Sequence, residues 1–204
     1  MKTKNALSRS PGRPREFDSE QVLEAAIRQF TLQGYHGSSI ATLSQATGLT
    51  AGSLYKAYID KRGLFCAALQ HYISVNNQRL DQQLTTVDSG LAAIRLLLAH
   101  YVNRSSGEAG RIGCLVVSTA NELAATDPQI AAQVAGLMDR YRQRFLRYLQ
   151  QGINDGSINP TLDADNTASL LLAVSQGIRV LGKSELTAQR AAQIEQSVRD
   201  LLLP

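Results

Sequence analysis

The sequence predicts an all-α chain of about nine helices. Three observations carry that expectation. Apolar residues recur at i, i+3 and i+4 through most of the chain, no window alternates in the manner of a strand, and Ser, Thr or Asp precedes nearly every periodic segment. Asp18 caps a first helix to about Gln33, with Val22, Leu23, Ala26, Ile27 and Phe30 on one face; Gln21 completes a capping-box pattern and Gly34 stops the helix. Ser38 or Ser39 opens a short second helix that ends near Thr47, and Thr50 caps a third, from Ala51 to Tyr58. Asp60 caps a fourth, running from Lys61 into the eighties. A fifth follows Ser89 to about Asn103, and Ser105 to Gly110 reads as a flexible loop. The sixth spans about Ile112 to Ala125, which puts Cys114 in its first turn. Asp127-Pro128 begins the seventh, to Gln151, since proline is favoured at the first helical position. Residues 152–162 read as a turn, and the eighth and ninth helices span about Asp163 to Leu181 and Thr187 to Leu203.

Composition narrows the function classes. No run of eighteen apolar residues is present, and no apolar stretch follows Lys2 and Lys4, so neither a membrane span nor an export signal is expected and the protein should be cytoplasmic. Two cysteines, Cys66 and Cys114, are too few for a disulfide scaffold, and His36, His71 and His100 do not cluster with either. No metal, no cofactor and no catalytic residue is therefore expected. Charge is unevenly placed. Residues 1–62 hold nine basic residues against five acidic ones, whereas the remainder holds twelve of each, so the whole net charge of +4 lies in the first third. A basic end on a neutral body points to contact with a polyanion.

The informative stretch is Ser39 to Lys61, SIATLSQATGLTAGSLYKAYIDK. Two short helices joined by a turn containing glycine form a helix-turn-helix. Ala46 is small where the helices cross, Gly48 can adopt the positive φ of the turn, Leu49 plugs the angle, and Ile40, Leu43 and Leu54 hold the pair on the first helix. Thr50, Ala51, Ser53, Tyr55 and Lys56 then point outward on the third helix, whose small, hydroxylated start lets it approach a major groove closely.

At these residues the chain resembles the TetR family of transcriptional regulators: Phe30 to Gly34, then Gly48-Leu49-Thr50, Gly52-Ser53-Leu54-Tyr55, Tyr58, Lys61 and Leu64. The resemblance is specific over Phe17 to about Leu69; Ala57 stands where the family often has histidine, and Ile59 replaces a more usual polar residue. It implies a basic arm over 1–16, a DNA-binding domain over 17–76, and a helical effector-binding and dimerisation domain over 77–204. The DNA-facing set it implies is Arg13, Arg15, Ser39, Thr42, Thr50, Ala51, Gly52, Ser53, Tyr55, Lys56, Tyr58 and Lys61. Tyr55 and Lys61 would take phosphates, and Gly12-Arg13-Pro14-Arg15 resembles an element that places arginine in a minor groove. A two-fold operator in double-stranded DNA requires a homodimer, expected through the eighth and ninth helices. The eighth is apolar on most sides, although a central helix of one domain would look the same.

The expected function is a repressor released from a palindromic operator by a small-molecule inducer or by oxidant or electrophile modification. Cys114, after Gly113 and near Arg111, is the candidate trigger, since a helix N-terminus and a guanidinium favour thiolate; a packing cysteine is the alternative. A Gly-Cys-Leu start and Lys183 resemble one branch of the family, some members of which respond to electrophiles or oxidants. His100, Asn121, Glu122 and Gln176 are candidate pocket residues for an unidentified inducer. Two other functions remain open: an architectural DNA-binding protein of the same fold, and a thiol-dependent enzyme resting on Cys114 and His100.

Overall fold

The computed structural model describes residues 17–184 and 186–203. Among them are ten α-helices, one 3₁₀ turn and no strand: α1 (Ser19–Gly37), α2 (Ile40–Thr47), α3 (Ala51–Tyr58), α4 (Lys61–Leu84), α5 (Gly90–Asn103), α6 (Gly107–Ile112), α7 (Leu115–Leu123), α8 (Pro128–Asp155), α9 (Ala164–Leu181) and α10 (Ala188–Leu202). All nine expected helices occur. The tenth, α6, lies where a flexible loop was expected.

The caps form as the sequence dictates. Asp18 accepts from the Glu20 and Gln21 amides, Ser39 and Thr42 make a reciprocal capping box, and Thr50, Asp60, Ser89, Asp127, Asp163 and Thr187 cap their helices by side-chain acceptance. α1 breaks at Gly34 (φ 75°, ψ 174°), as expected, but one more turn, Tyr35 to Gly37, follows the break. Ser105 to Gly110 is fixed because the Ser105 and Ser106 hydroxyls donate to the Tyr101 and Val102 carbonyls at the end of α5. Gly110 and Gly182 both close on Ser105, where a Cβ would collide with its backbone. Ser105 is buried and α6 starts directly after it.

Two cores organise the bundle. The first joins α1 to α4 through Val22, Ala26, Phe30, Leu43, Leu54, Leu64, Phe65 and Leu69, with Phe30 and Phe65 edge to face at 5.1 Å. It continues into Leu115, Val116 and Leu123 of α7 and Ile130 and Leu137 of α8. The second gathers the end of α4, α5, α8, α9 and α10 around Leu80, Ile94, Leu97, Phe145, Leu149, Leu171 and Leu202. Each buried Leu, Ile or Phe in these layers contributes about 1.5–3 kcal/mol by removal from water.

Ile59 ends α3 with φ 72°, the one non-glycine residue at positive φ among the described residues, and its side chain is 83% exposed. A β-branched side chain in the left-handed region is strained, and little packing offsets that here. Ile59→Gly is expected to stabilise the chain by about 1 kcal/mol, read as a raised midpoint in thermal and urea unfolding; an unchanged or lowered midpoint would contradict the strain.

Candidate functional site

The exposed face of α3 is built by its caps. Thr50 Oγ1 accepts the Ser53 amide at 3.2 Å and meets Ser53 Oγ at 3.0 Å, so both hydroxyls hold the helix start as well as line it. Thr50, Ala51, Gly52, Tyr55 and Lys56 are exposed, while Ser53 is half-buried. Leu54 and Leu43, on the opposite sides of α3 and α2, are buried against α1 and α4. Gly48 turns between the helices in the left-handed conformation. Ser39 is exposed and Thr42 half-buried, and both are committed to capping α2. Tyr58 is half-buried and packs on the N-terminal core. Arg13 and Arg15 lie outside the described residues.

Lys61 is engaged within the chain. Its ammonium donates to the Tyr35 and Ser38 carbonyls at 3.0 and 3.1 Å and lies 4.3 Å from the Tyr35 ring centroid, tying the start of α4 to the end of α1. Glu122 is likewise engaged within the chain: its carboxylate accepts the Tyr35 and His36 amides at 2.8 and 2.7 Å, because α7 turns this face toward the break in α1. Asn121 is exposed beside it. Arg62 reaches Asp127 and Gln129, which depresses the Asp127 carboxyl to about 2 through the guanidinium hydrogen bond.

A second constellation lies between α4, α5, α7, α8 and α9. His100, Tyr101, Gln176 and Cys114 meet there around a small cavity of about 40 Å³, joined by Tyr72, Arg104 and Arg179. Cys114 is not in the first turn of its helix. Gly113, at φ 100°, separates α6 from α7, and Cys114 is the residue that precedes α7. Its charge partner is not Arg111 but Arg179, which is buried on α9 and donates to the Arg104 and Gly113 carbonyls and to Ser105 Oγ. The Tyr72 hydroxyl lies 3.5 Å from Cys114 Sγ and 3.2 Å from Arg104 Nη2. Burial pushes the thiol up, but the Arg179 guanidinium, the Tyr72 hydroxyl and the Val117 amide outweigh it and hold Cys114 below the ordinary thiol value. Lys183 is exposed, and its aliphatic stem crosses over Gly113. Cys66 is half-buried, and burial raises its thiol.

Sequence reasoning missed Arg179 and Tyr72. A lone arginine between Ile178 and Val180 in an otherwise apolar helix was the available signal for the first; Tyr72 carried none beyond its apolar phase. Away from the cavity, Glu20, Glu24 and His71 bring three potential ligand atoms within 4.8 Å of one another, on surface side chains with no enclosure that would exclude water.

His100 gives the cavity a pH signature. Burial first, then Arg104, Arg179 and Arg144, lower its pKa from 6.5 to about 4. The unfolded chain therefore binds a proton between pH 6.5 and 4 that the folded chain does not. Stability is complete above pH 6.5 and falls as pH drops through that window, by about 2 kcal/mol once screening of the half-exposed ring is allowed for. His100→Gln is expected to flatten this part of the pH–stability curve; a wild-type slope in the variant would show that imidazole is not the titrating group.

The chain matches two family profiles, "Bacterial regulatory proteins, tetR family" over residues 22–68 and "Tetracyclin repressor-like, C-terminal domain" over residues 90–198. The transcriptional repressor ComR of Escherichia coli K12 is 28% identical over 192 residues, covering 92% of this chain and 90% of that one. YezE, an uncharacterised HTH-type transcriptional regulator of Bacillus subtilis 168, is 32% identical over 71% of this chain and 77% of its own. Among solved structures, a cysteine mutant of the TetR family regulator CifR complexed with 26-base-pair operator DNA superposes with a TM-score of 0.82 at 27% identity, covering 95% of this chain and all of that one. A TetR regulator from Chloroflexus aurantiacus gives 0.80 at 26% identity, covering 91% and 96%. No helix among the described residues is long and apolar enough to cross a membrane. With the exposed α3 face on its glycine turn, these likenesses identify the chain as a member of the TetR family of DNA-binding transcriptional regulators.

Proposed function

We propose that the chain is a dimeric repressor that leaves a palindromic operator when Cys114 is modified or a small effector enters the cavity beside it. One observation carries the reading: Arg179 is buried with neutral acceptors around it, and among the described residues none of the ion pairs includes it. A buried cation is costly without an anion, and the Cys114 thiolate is the group in reach that can supply one. The cavity holds roughly three waters, which suits a small reagent better than a drug-sized inducer. Attack on an electrophilic carbon forms an S–C bond and expels or protonates the acceptor; attack on a peroxide forms S–O and releases hydroxide. Either adds atoms where there is little room, against Tyr72 and Arg179.

DNA contact is assigned to Thr50, Ala51, Gly52, Ser53, Tyr55 and Lys56, with Ser39 and Thr42 at the start of α2 and Arg13 and Arg15 from the arm. The likeness to CifR, solved with operator DNA, supports double-stranded DNA as the partner. For the dimer, five of the eight exposed large apolar residues fall on or beside α9 and α10: Leu170, Val180, Leu181, Leu201 and Leu203. Leu181 also lines a groove of about 520 Å³, with Ile178, Leu186 and Ile194. A second copy seated on this face would bury what a monomer leaves in water. The relatives are transcription regulators, which weighs against a thiol-dependent enzyme.

Fluorescence anisotropy with labelled DNA from the chain's own upstream region tests the DNA contacts. Tyr55→Ala and Lys56→Ala are each expected to weaken binding at least about tenfold, and the wild type should lose affinity steeply with salt. Wild-type binding that ignores both substitutions would remove α3 from the interface. The trigger is tested by adding peroxide or N-ethylmaleimide to the bound complex. Release is expected for wild type and for Cys66→Ser but not for Cys114→Ser; equal release of all three would eliminate Cys114 as the trigger.

A further inference from the structure

The break in α1 leaves backbone donors that the helix cannot satisfy. Gly34 takes φ 75° and ψ 174°, so the turn Tyr35 to Gly37 begins afresh with its own unpaired first amides. The acceptor comes from 86 and 87 residues away: Glu122 Oε1 and Oε2 take the His36 and Tyr35 amides at 2.7 and 2.8 Å. A carboxylate on the first amides of a helical turn is favoured both as a charge-assisted hydrogen bond and by the local dipole. The approach is close enough to exclude a side chain at position 34, where a Cβ would lie 2.6 Å from Glu122 Oε2.

The turn so held is the mount of the reading head. Its Tyr35 carbonyl accepts the Ser38 amide at 3.3 Å and the Lys61 ammonium at 3.0 Å, and the Ser38 hydroxyl returns to the Gly34 carbonyl at 2.7 Å. Ser39, the next residue, is the cap of α2. The start of α2 and the start of α4 are therefore referred to one turn, and that turn is gripped from outside by α7. Two other polar links cross this boundary: Arg62 at the start of α4 holds Asp127 and Gln129 at the start of α8, and the Arg28–Glu108 pair is 3.4 Å long with both side chains mostly exposed; neither touches the amides freed at Gly34.

At its other end α7 begins beside Cys114, eight residues before Glu122. That is two helical turns, about 12 Å, and Leu115, Val116, Thr119 and Leu123 are buried along it. A short rod packed this closely moves as a unit.

We infer that Glu122 is a positioning residue for DNA recognition, capping the broken end of α1 in trans so that the placement of α7 sets the placement of α2 and α3. Its role as relay rests on the proposed release at Cys114; its role as mount does not. In the apo state the carboxylate fixes the head for operator. When the Cys114 end of α7 shifts, the two amides lose their acceptor and the head loses its fixed pose.

The test uses the full-length chain and Glu122→Gln, which keeps the shape but presents an N–H₂ donor to one of two donors. Hydrogen exchange at the Tyr35 and His36 amides is expected to quicken about tenfold or more, with α5 and α8 amides unchanged. Operator affinity should fall about tenfold, and the wild-type preference for the native half-site spacing over one lengthened by a base pair should shrink. A mere structural role would weaken both DNAs alike. Unchanged exchange at the two amides, or quickened exchange with unchanged affinity and spacing preference, overturns the proposal. A second arm needs no variant: N-ethylmaleimide on wild-type Cys114 should quicken exchange at Tyr35 and His36 as operator is released. Release with those amides still protected overturns the relay. If alkylation releases no operator, the Cys114 trigger fails while the Glu122→Gln result still decides the mount.

Discussion

Arg179 ties together more of the C-terminal half than any apolar contact of its size could. From the last turn of α9 its guanidinium reaches the Arg104 carbonyl and Ser105 hydroxyl at the end of α5, the Gly113 carbonyl between α6 and α7, and Tyr72 on α4. Three segments distant from α9 in sequence thus share one donor fork, whose planar geometry satisfies several acceptors at once. Burying a guanidinium costs on the order of several kcal/mol, and neutral acceptors offset that only in part. The arrangement consequently favours any neighbour that can become an anion. Cys114, buried where α6 gives way to α7, is that neighbour, and the guanidinium that ties these segments together also draws the thiol toward its anion.

This constraint explains why the chain between α5 and α7 is ordered. A stretch of two serines and two glycines ordinarily reads as a mobile loop. Here Ser105 must stay buried to meet Arg179, Gly110 and Gly182 are small because they close on Ser105, and Gly113 takes φ 100° so that its carbonyl faces the guanidinium while the chain turns into α7. The local sequence carries none of these partners, so propensity alone assigns the segment wrongly.

The same distinction sorts the rest of the site. Asp18, Ser39, Thr50 and Asp60 were legible because a cap bonds within three residues of itself, and the turn was legible because Gly48 needs only its own φ. Leu43 and Leu54 were legible from spacing. The intrachain partners of Glu122 and Lys61 were not legible: helical phase says which way a side chain leaves its helix but not what stands there. For Glu122 the partner was a pair of amides exposed by a glycine 88 positions earlier. His100 and Gln176 did reach the cavity, whereas Arg179 and Tyr72, which give it its chemistry, were hidden in apolar runs.

A reading head made of two eight-residue helices cannot be stiff on its own account. Isolated helices of that length do not persist in water, so α2 and α3 hold their shape only through caps and through packing on α1 and α4. Rigidity for DNA is then a property of the mount. Lys61 and Glu122 grip one turn from opposite sides, the first by its carbonyls and the second by its amides. Loss of either grip leaves Leu43 and Leu54 buried and the domain folded, while the orientation of α3 broadens. In the proposed dimer two heads must be posed together, so a small broadening at each is felt twice. A regulator built this way can lose its operator with its fold intact.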